Sequence, residues 1–249
     1  MLPSNRKRLS KDISSTGIKM NQRKLDSYSL KAIILDFDGV ILESNQIKAE
    51  AFRQLFKAYP QHGDKIVELH LTHGGMPRHE KLRTIYREFL RKPLRNEELA
   101  RLDARFRNLV EEQILECPFV QGAEEFLKAY HSRYALFVAS GTPEEEMRDQ
   151  IRLRGIHCYF RGVYGSPRHK GEILRDILSE NSWQPLQVLF IGDAIDDYNG
   201  AKEASVPFIG RVAPGAKNPF DEKEVEAIVS DLEDLNRRWQ TLASTLSSS

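Results

Sequence analysis

Two carboxylates lie two residues apart in the segment Leu35-Asp36-Phe37-Asp38-Gly39-Val40, at the end of an apolar run. Alternate residues of a strand share one face, but a loop can redirect the second of them. An Asp/Gly turn that only ends a strand has the same composition. Taken alone, this segment therefore leaves a catalytic pair of acids and a plain turn equally open.

The second candidate segment contains Ser140 and Gly141 at the end of another apolar run. Thr142, Pro143 and Glu145 follow with the pattern of a capping box, in which Thr142 is the N-cap of a helix. That cap does not need Ser140. Because a hydroxyl and free backbone N–H groups at a helix N-terminus form an anion site, Ser140 and Gly141 are candidates for binding a phosphate oxygen, although a simple turn often has the same residues.

A lysine and a cluster of acids supply opposite charges in two later segments. Lys170 stands at a predicted loop-to-helix junction, where a lone lysine is usually solvated. Asp193, Asp196 and Asp197 follow another apolar run. Clustered carboxylates repel one another, and their pKa values rise, unless a cation lies among them. Oxygen ligands without an EF-hand spacing favour Mg²⁺ over Ca²⁺.

Five apolar runs without alternation predict the strands that must position these residues. Such runs are typical of strands buried on both faces of a parallel sheet. The predicted strands are 32–35, 134–139, 162–164, 187–191 and 206–209, and helical patterns lie at 144–154, 170–179 and 198–204. Alternating strands and helices predict a doubly wound, mostly parallel α/β sheet. All four polar segments fall at carboxyl ends of predicted strands, which is where ligands bind in such sheets.

Almost a hundred residues with helical periodicity separate the first two strands and predict an inserted helical subdomain. Its helices are expected at 44–59, 63–71, 78–91 and 96–116. The predicted domains are an α/β core at 30–43 and 118–236, a helical cap at 44–117, and a C-terminal helix end with a Ser-rich tail at 237–249. Residues 1–29 are basic, Ser-rich and without an apolar period, which predicts a disordered tail.

Composition excludes several classes of function. The 37 basic and 36 acidic residues give a formal net charge of +1, so no global field favours nucleic acid or an anionic membrane as a partner. No apolar run approaches the length of a membrane span. The two cysteines, Cys117 and Cys158, have no metal-binding spacing and are expected to be reduced, buried thiols. A cytoplasmic location is expected by default.

In combination, the four segments strongly resemble the motifs of the haloacid dehalogenase superfamily, in the same order: 36–40, Ser140, Lys170 and 192–197. The resemblance covers roughly residues 31 to 235. The helical insertion looks like the α-helical cap of the subgroup with phosphoglycolate-phosphatase-like and β-phosphoglucomutase-like enzymes. Residues 197–201 and 206–210 also resemble that subgroup, whereas Ala194 stands where many relatives have Ser.

The resemblance implies a phosphatase that uses Mg²⁺ and an aspartyl-phosphate intermediate. Asp36 would be the nucleophile, and Asp38 would protonate the leaving oxygen and later deprotonate the attacking water. Asp36, Asp193 and the backbone carbonyl of Asp38 would bind the metal. The pKa of Asp38 is expected to be raised by the neighbouring carboxylates.

The remaining core residues would act on charge and orientation. Lys170 would offset the negative charge of the transferring phosphoryl group, and Ser140 would bind one of its oxygens. Asp197 would orient Lys170 or the water around the metal.

The cap is expected to choose the substrate, a small phosphorylated metabolite such as a sugar phosphate or a phosphoglycolate-like compound. The segment 70–78 looks like the cap loop that faces the core in this subgroup. Within it, His73 and Arg78 flank two glycines and are candidate substrate-binding residues. Arg78 could equally be a solvated residue at a helix end. A monomer or a weak homodimer is expected.

The sequence leaves other functions open. A phosphomutase of the β-phosphoglucomutase type uses the same core residues. A non-catalytic binding or scaffold protein is the alternative from another class, although it would have no reason to retain every charged group at one sheet edge. Dehalogenation is disfavoured because it needs neither an acid for the leaving group nor Mg²⁺. Phosphonate hydrolysis through a cap lysine has no clear sequence signal.

Overall fold

The protein is built around one parallel sheet of six strands. This computed structural model describes residues 30–246, with side chains described as far as residue 239. The strands are β1 Ala32–Leu35, β2 Ala135–Pro143, β3 Gly162–Ser166, β4 Val188–Gly192, β5 Phe208–Arg211 and β6 Ala227–Val229. Their order is β3-β2-β1-β4-β5-β6, and each neighbouring pair is parallel. The predicted doubly wound α/β fold is confirmed. The predicted tail at 1–29 lies outside the described residues.

Helices α1 to α4 lie between β1 and β2 and are called the helical insertion below. They are α1 Asn45–Leu55, α2 Gly63–Thr72, α3 Arg78–Thr84 and α4 Asn96–Glu116. The first ends earlier than the predicted residue 59. The third continues as a π-helix over Ile85–Leu90 and stops at Arg91, whose φ of 54° is left-handed. Buried side chains from all four helices, such as Phe52 and Phe106, join one apolar core.

The remaining helices cover the two faces of the sheet. They are α5 Ala123–Tyr130, α6 Glu144–Leu153, α7 Lys170–Glu180, α8 Ile195–Glu203 and α9 Leu232–Leu246. Ile33 and Leu35 of β1 point to the apolar cluster that includes α5 and α6, whereas Ile34 points to the cluster with α7 and α8. Burial on both faces explains why the strands read as continuous apolar runs.

Some elements differ from the sequence-based prediction. Strand β2 continues to Pro143 rather than stopping at 139, and β6 and α5 were not predicted. Three residues are too few for β6 to show a period. Cys117 is buried as expected, but Cys158 is exposed. Within residues 30–246, no helix is long and apolar enough to cross a membrane.

Candidate active site

The carboxyl ends of β1, β2 and β4 bring the predicted segments together at one edge of the sheet. Leu35, the last residue of β1, lies beside Val138 of β2 and Ile191 of β4. The acid after β1, the serine near the end of β2 and the acids after β4 therefore lie at one level. Lys170 joins them because α7 begins at this residue.

Lys170 pairs with two acids at the centre of this site. Its Nζ atom lies 2.9 Å from Oδ1 of Asp36 and also donates a hydrogen bond to Asp197. The side chains of all three residues are almost completely buried. Asp197 is fixed from the other side, because it accepts the backbone N–H groups of Asp193 at 3.1 Å and Ala194 at 3.0 Å. The contact between Asp197 and Lys170 fits the expected orienting role.

Three carboxylates in the site could bind a metal ion. One ligand oxygen from each of Asp36, Asp193 and Asp197 lies within 4.8 Å of the other two. Nδ2 of Asn45, at the start of α1, donates to Oδ2 of Asp193 over 2.6 Å. Two buried acids and the half-buried Asp193 beside one lysine leave excess negative charge, and an oxygen-only donor set suits Mg²⁺. Compared with the expected ligands, the cluster adds Asp197.

Burial and mutual repulsion raise the pKa values of these acids. Burial is the main cause for Asp36, with repulsion from Asp197 and Asp193 working against the favourable charge of Lys170. Burial and the charge of Asp197 raise the pKa of Asp193 to about 7. The pKa of Asp197 is raised by burial as well. Clustered carboxylates with raised pKa values are a favourable place for a cation, whose charge would stabilise their ionised forms.

The raised pKa values predict how the stability of the metal-free protein depends on pH. The folded protein keeps a proton on Asp193 up to about pH 7, whereas the unfolded chain releases it near pH 4. The folded state therefore binds more protons across this window, and the free energy of unfolding falls as pH rises. We expect the melting temperature with chelator to fall from pH 5 to pH 7.5, and to fall less in Asp193→Asn.

Mg²⁺ provides the matching control, because its binding must displace those protons. Saturating Mg²⁺ should raise the melting temperature more at pH 8 than at pH 5. Equal gains at both pH values, or an identical pH profile in Asp193→Asn, would contradict the assignment of these protons to the acid cluster.

Asp38 faces away from the acid cluster and towards the helical insertion. Its carboxylate accepts hydrogen bonds from Ser44 and Lys48, both at 2.5 Å, and from Thr142 at 3.3 Å. The expectation that the pKa of Asp38 is raised is wrong. Burial raises this pKa, but the charge and hydrogen bond of Lys48, the hydrogen bond from Ser44 and the charge of His70 together lower it below its usual value.

The predicted capping box at Thr142 is also wrong. Strand β2 runs through Pro143, which is itself the N-cap of α6 and makes no side-chain cap. The Thr142 hydroxyl instead accepts a hydrogen bond from Lys48 and donates one to Asp38. The backbone N–H of Thr142 donates to Oγ of Ser140 over 3.1 Å. The Ser140 side chain is fully buried at the level of Asp36, where it was predicted.

Two glycines allow the backbone to pass close to other groups. Gly39 has a φ of +73°, and a Cβ there would overlap Asp193. A Cβ at Gly141 would lie 2.8 Å from the carbonyl oxygen of Gly75. The loop of the helical insertion that contains Gly75 therefore lies directly against the end of β2, and the structure shows the insertion closed over the site.

Arg211, at the end of β5, anchors the loop that follows Asp38. It is buried and donates to the carbonyl of Gly39 over 3.1 Å, to Glu43 and to the carbonyl of Ser230. Sequence analysis missed Arg211, although it lies at the carboxyl end of a predicted strand region.

Sequence analysis also missed Asn45 and Lys48. The close spacing of Ser44, Asn45 and Lys48 across the first turn of α1 was the only available signal.

The two candidate residues of the cap loop have core partners. Nδ1 of His73 lies 3.4 Å from Oδ1 of Asp196. The Arg78 guanidinium is buried and donates both to Asp103 of α4 and, through two bonds of 2.7 and 2.8 Å, to Glu146 of α6. Burial excludes the solvated alternative for Arg78. The substrate-binding role of both residues stays a prediction.

Arg78 is expected to matter for stability whatever its role in binding. It connects the helical insertion to α6, and it lies 4.5 Å from the ring centre of Phe106. Breaking a buried ion pair leaves a buried charge uncompensated, so Arg78→Ala should lower the free energy of unfolding by about 3 kcal/mol. Exposed Arg83 on the same helix provides the control, Arg83→Ala. Urea unfolding of both variants tests this, and equal losses would contradict it.

Comparison with known proteins identifies the family. A model of the haloacid dehalogenase-like hydrolase family matches residues 33–211. The chain belongs to this family. The match spans all four motif segments, from β1 to the end of β5, so the resemblance drawn from the motifs is confirmed.

Relatives of this hydrolase include a "Phosphorylated carbohydrates phosphatase" from Thermotoga maritima, which is 27% identical over 183 residues, 71% of this chain and 82% of that protein. A "5'-nucleotidase" from Pseudomonas aeruginosa is 32% identical over 95 residues, 36% of this chain and 43% of that protein. A putative β-phosphoglucomutase from Bacteroides vulgatus has a similar structure, with a TM-score of 0.74, 18% identity, and coverage of 92% of this chain and 98% of that one. At this identity the likeness shows the fold alone.

Proposed function

We propose that this hydrolase is a Mg²⁺-dependent phosphatase that releases phosphate from a small phosphorylated carbohydrate. The observation that carries the proposal is the group of buried Asp36, Lys170 and Asp197 with half-buried Asp193 at the carboxyl ends of β1 and β4. Such a group places a carboxylate nucleophile beside the positive charge that an incoming phosphate needs. The substrate class is supported by the relative that acts on phosphorylated carbohydrates.

In the proposed reaction, an oxygen of Asp36 attacks phosphorus, and the bond from phosphorus to the leaving oxygen breaks. This step gives an aspartyl-phosphate, which water then hydrolyses to inorganic phosphate and free Asp36. Lys170 balances the negative charge of the phosphoryl oxygens, and Ser140 binds one of them. Asp36, Asp193 and the backbone carbonyl of Asp38 would hold Mg²⁺, which would supply further positive charge.

Asp38 is the proposed acid and base, and its contacts suit the two roles differently. In this structure Lys48 stabilises the ionised carboxylate, which is the form that accepts a proton from the attacking water. To donate a proton to the leaving oxygen, Asp38 must first exchange the Lys48 contact for one with the substrate. Binding of substrate beneath the helical insertion is the step at which we expect these contacts to rearrange.

A screen of phosphate release tests the proposal. The purified protein with MgCl₂ is incubated with hexose and pentose phosphates, nucleoside monophosphates and 2-phosphoglycolate, and free phosphate is measured. We expect release from at least one sugar phosphate and none with chelator. A folded protein that releases no phosphate from any of them would favour a binding protein. Conversion to an isomeric phosphate without net release would favour a phosphomutase.

A further inference from the structure

A small cavity lies beside Asp38, between the core and the helical insertion. Its volume is about 20 Å³, and its polar lining comes from Asp38 and Thr142 on the core side and from Lys48, His70, Arg78 and Lys81 on the insertion side. That volume admits about one water molecule. A ligand larger than water must therefore widen the cavity. The cavity lies immediately beside Asp38, the group proposed to protonate the leaving oxygen.

The charges around this cavity do not balance. Lys48 is paired with Asp38, and Arg78 is paired with Asp103 and Glu146. Lys81 is as deeply buried as these residues. Its two polar contacts are Nδ1 of His70 and the carbonyl oxygen of Gly74, both at 3.0 Å, and neither carries a negative charge. Within the described part of the chain, Lys81 makes no ion pair.

His70 beside Lys81 has an unused polar atom. The ring is buried against Phe52, and its Nε2 atom has no hydrogen-bond partner among the described residues, although the backbone of Asn45 lies near the ring. Burying a polar group without a partner costs free energy, and burying an unpaired cation costs more. The His70 ring and the Lys81 cation thus share one cavity, and Lys81 has no negatively charged partner among the described residues.

The pKa of Lys81 is lowered because its buried charge has no negatively charged partner in contact among the residues that the structure describes. Burial lowers it to about 7, against the partial compensation of Asp196 and Asp38. A negatively charged ligand beside Nζ would stabilise the ammonium form and regain this lost free energy. Among the described residues that line the cavity, Asp38 is the one acid, and it is paired with Lys48.

We propose that this cavity binds the leaving group of the substrate, and that Lys81 and His70 select a leaving group bearing an anionic oxygen group, either a carboxylate or a second phosphate. The inference rests on the proposed phosphatase function and names its substrate class more narrowly. The phosphoryl group would lie at Asp36, the leaving oxygen at Asp38, and the second anionic group at Lys81. Such a contact at the far end of the substrate contributes to orientation and to the exclusion of water.

Three phosphate esters with one two-carbon frame provide matched probes. They are 2-phosphoglycolate, whose leaving group has a carboxylate, ethylene glycol bisphosphate, whose leaving group has a phosphate, and 2-hydroxyethyl phosphate, whose leaving group is neutral. We expect kcat/KM for at least one of the acidic esters to exceed that of the neutral ester by about 10- to 100-fold, the scale of one hydrogen bond to a charged group. The acidic ester with the higher kcat/KM shows whether the cavity prefers a carboxylate or a phosphate on the leaving group.

Variants assign this preference to Lys81. The measured quantity is kcat/KM for the acidic ester divided by kcat/KM for the neutral ester. Lys81→Gln should lower this ratio by about 10-fold or more, and Lys81→Arg should keep most of the preference. Lys65→Gln, an exposed lysine on α2, is the matched control and should leave the ratio unchanged. A role of Lys81 only in holding the Gly74 loop would lower both values together, so the ratio separates selection from loop positioning.

A direct measurement covers the case in which Lys81→Gln does not fold. Glycolate and ethylene glycol are compared as inhibitors of the wild-type enzyme, and we expect glycolate to inhibit at lower concentration if the carboxylate is the preferred group. Equal kcat/KM for acidic and neutral esters, or an unchanged ratio in folded Lys81→Gln, would overturn the inference and leave the phosphatase proposal standing. Failure to release phosphate from any monoester would instead overturn the proposed function.

Discussion

Asp36→Asn is expected to lower kcat by about 10⁴-fold or more, the scale of loss when a residue of a nucleophilic unit is removed. The amide fills the same volume and can still accept the 2.7 Å hydrogen bond from the backbone N–H of Phe37, but it cannot attack phosphorus to form an acyl phosphate. The measurement is phosphate release from the best substrate of the screen, with the melting temperature recorded alongside.

The stability of this variant separates chemistry from folding. Burial and the nearby acids raise the pKa of Asp36, so the ionised carboxylate destabilises the metal-free protein at neutral pH. Asp36→Asn removes that cost, and its melting temperature with chelator should equal or exceed that of the wild type. Asp149→Asn, on the exposed surface of α6, is the control and should change neither quantity. Comparable kcat in well-folded Asp36→Asn would refute the nucleophile assignment.

Removal of Mg²⁺ should abolish activity, and Asp193→Asn should reduce activity at limiting Mg²⁺ by at least about 100-fold. The variant loses one of the formal charges that would bind the ion, while its side-chain oxygen can still accept the hydrogen bond from Asn45. A high Mg²⁺ concentration should restore part of the activity because the other carboxylates remain. The measurement is a titration of activity with MgCl₂ for the wild type, for Asp193→Asn and for the Asp149→Asn control.

This prediction has a clear negative outcome. Full activity in a thoroughly chelated sample, with no residual metal by elemental analysis, would exclude a metal requirement. An identical Mg²⁺ dependence of the wild type and Asp193→Asn would remove Asp193 from the metal site while leaving the requirement itself intact.

The sequence alone predicted five of the six strands and placed the candidate site residues at their carboxyl ends. The runs at Ala32–Leu35 and Val188–Gly192 are apolar without alternation because both faces of these strands are buried. Each run ends in an acidic segment, and parallel strands end at one edge, so the meeting of Asp36 with Asp193 follows from local patterns. Helical periodicity likewise predicted the four helices of the insertion.

Hydrogen-bond details inside the elements were beyond the sequence. The apolar pattern from Arg78 to Arg91 predicted one helix, but only the structure shows the change to a π-helix at Ile85, because the side-chain period barely distinguishes the two. The Thr142 capping box failed for a related reason. Its pattern is local, yet the hydroxyl forms hydrogen bonds with Lys48 and Asp38, which are about a hundred positions away in the chain.

Only the tertiary structure decided which charges meet. Asp38 pairs with Lys48, Arg78 with Glu146, and Arg211 with the loop after Asp38, and Lys81 makes no ion pair within the described residues. Each of these outcomes depends on how the helical insertion and β5 pack on the core, and the pKa directions follow from that packing. The proposed reaction residues lie in short local motifs of the sequence, whereas the groups that change their pKa values and those proposed to select the substrate come together only through the fold.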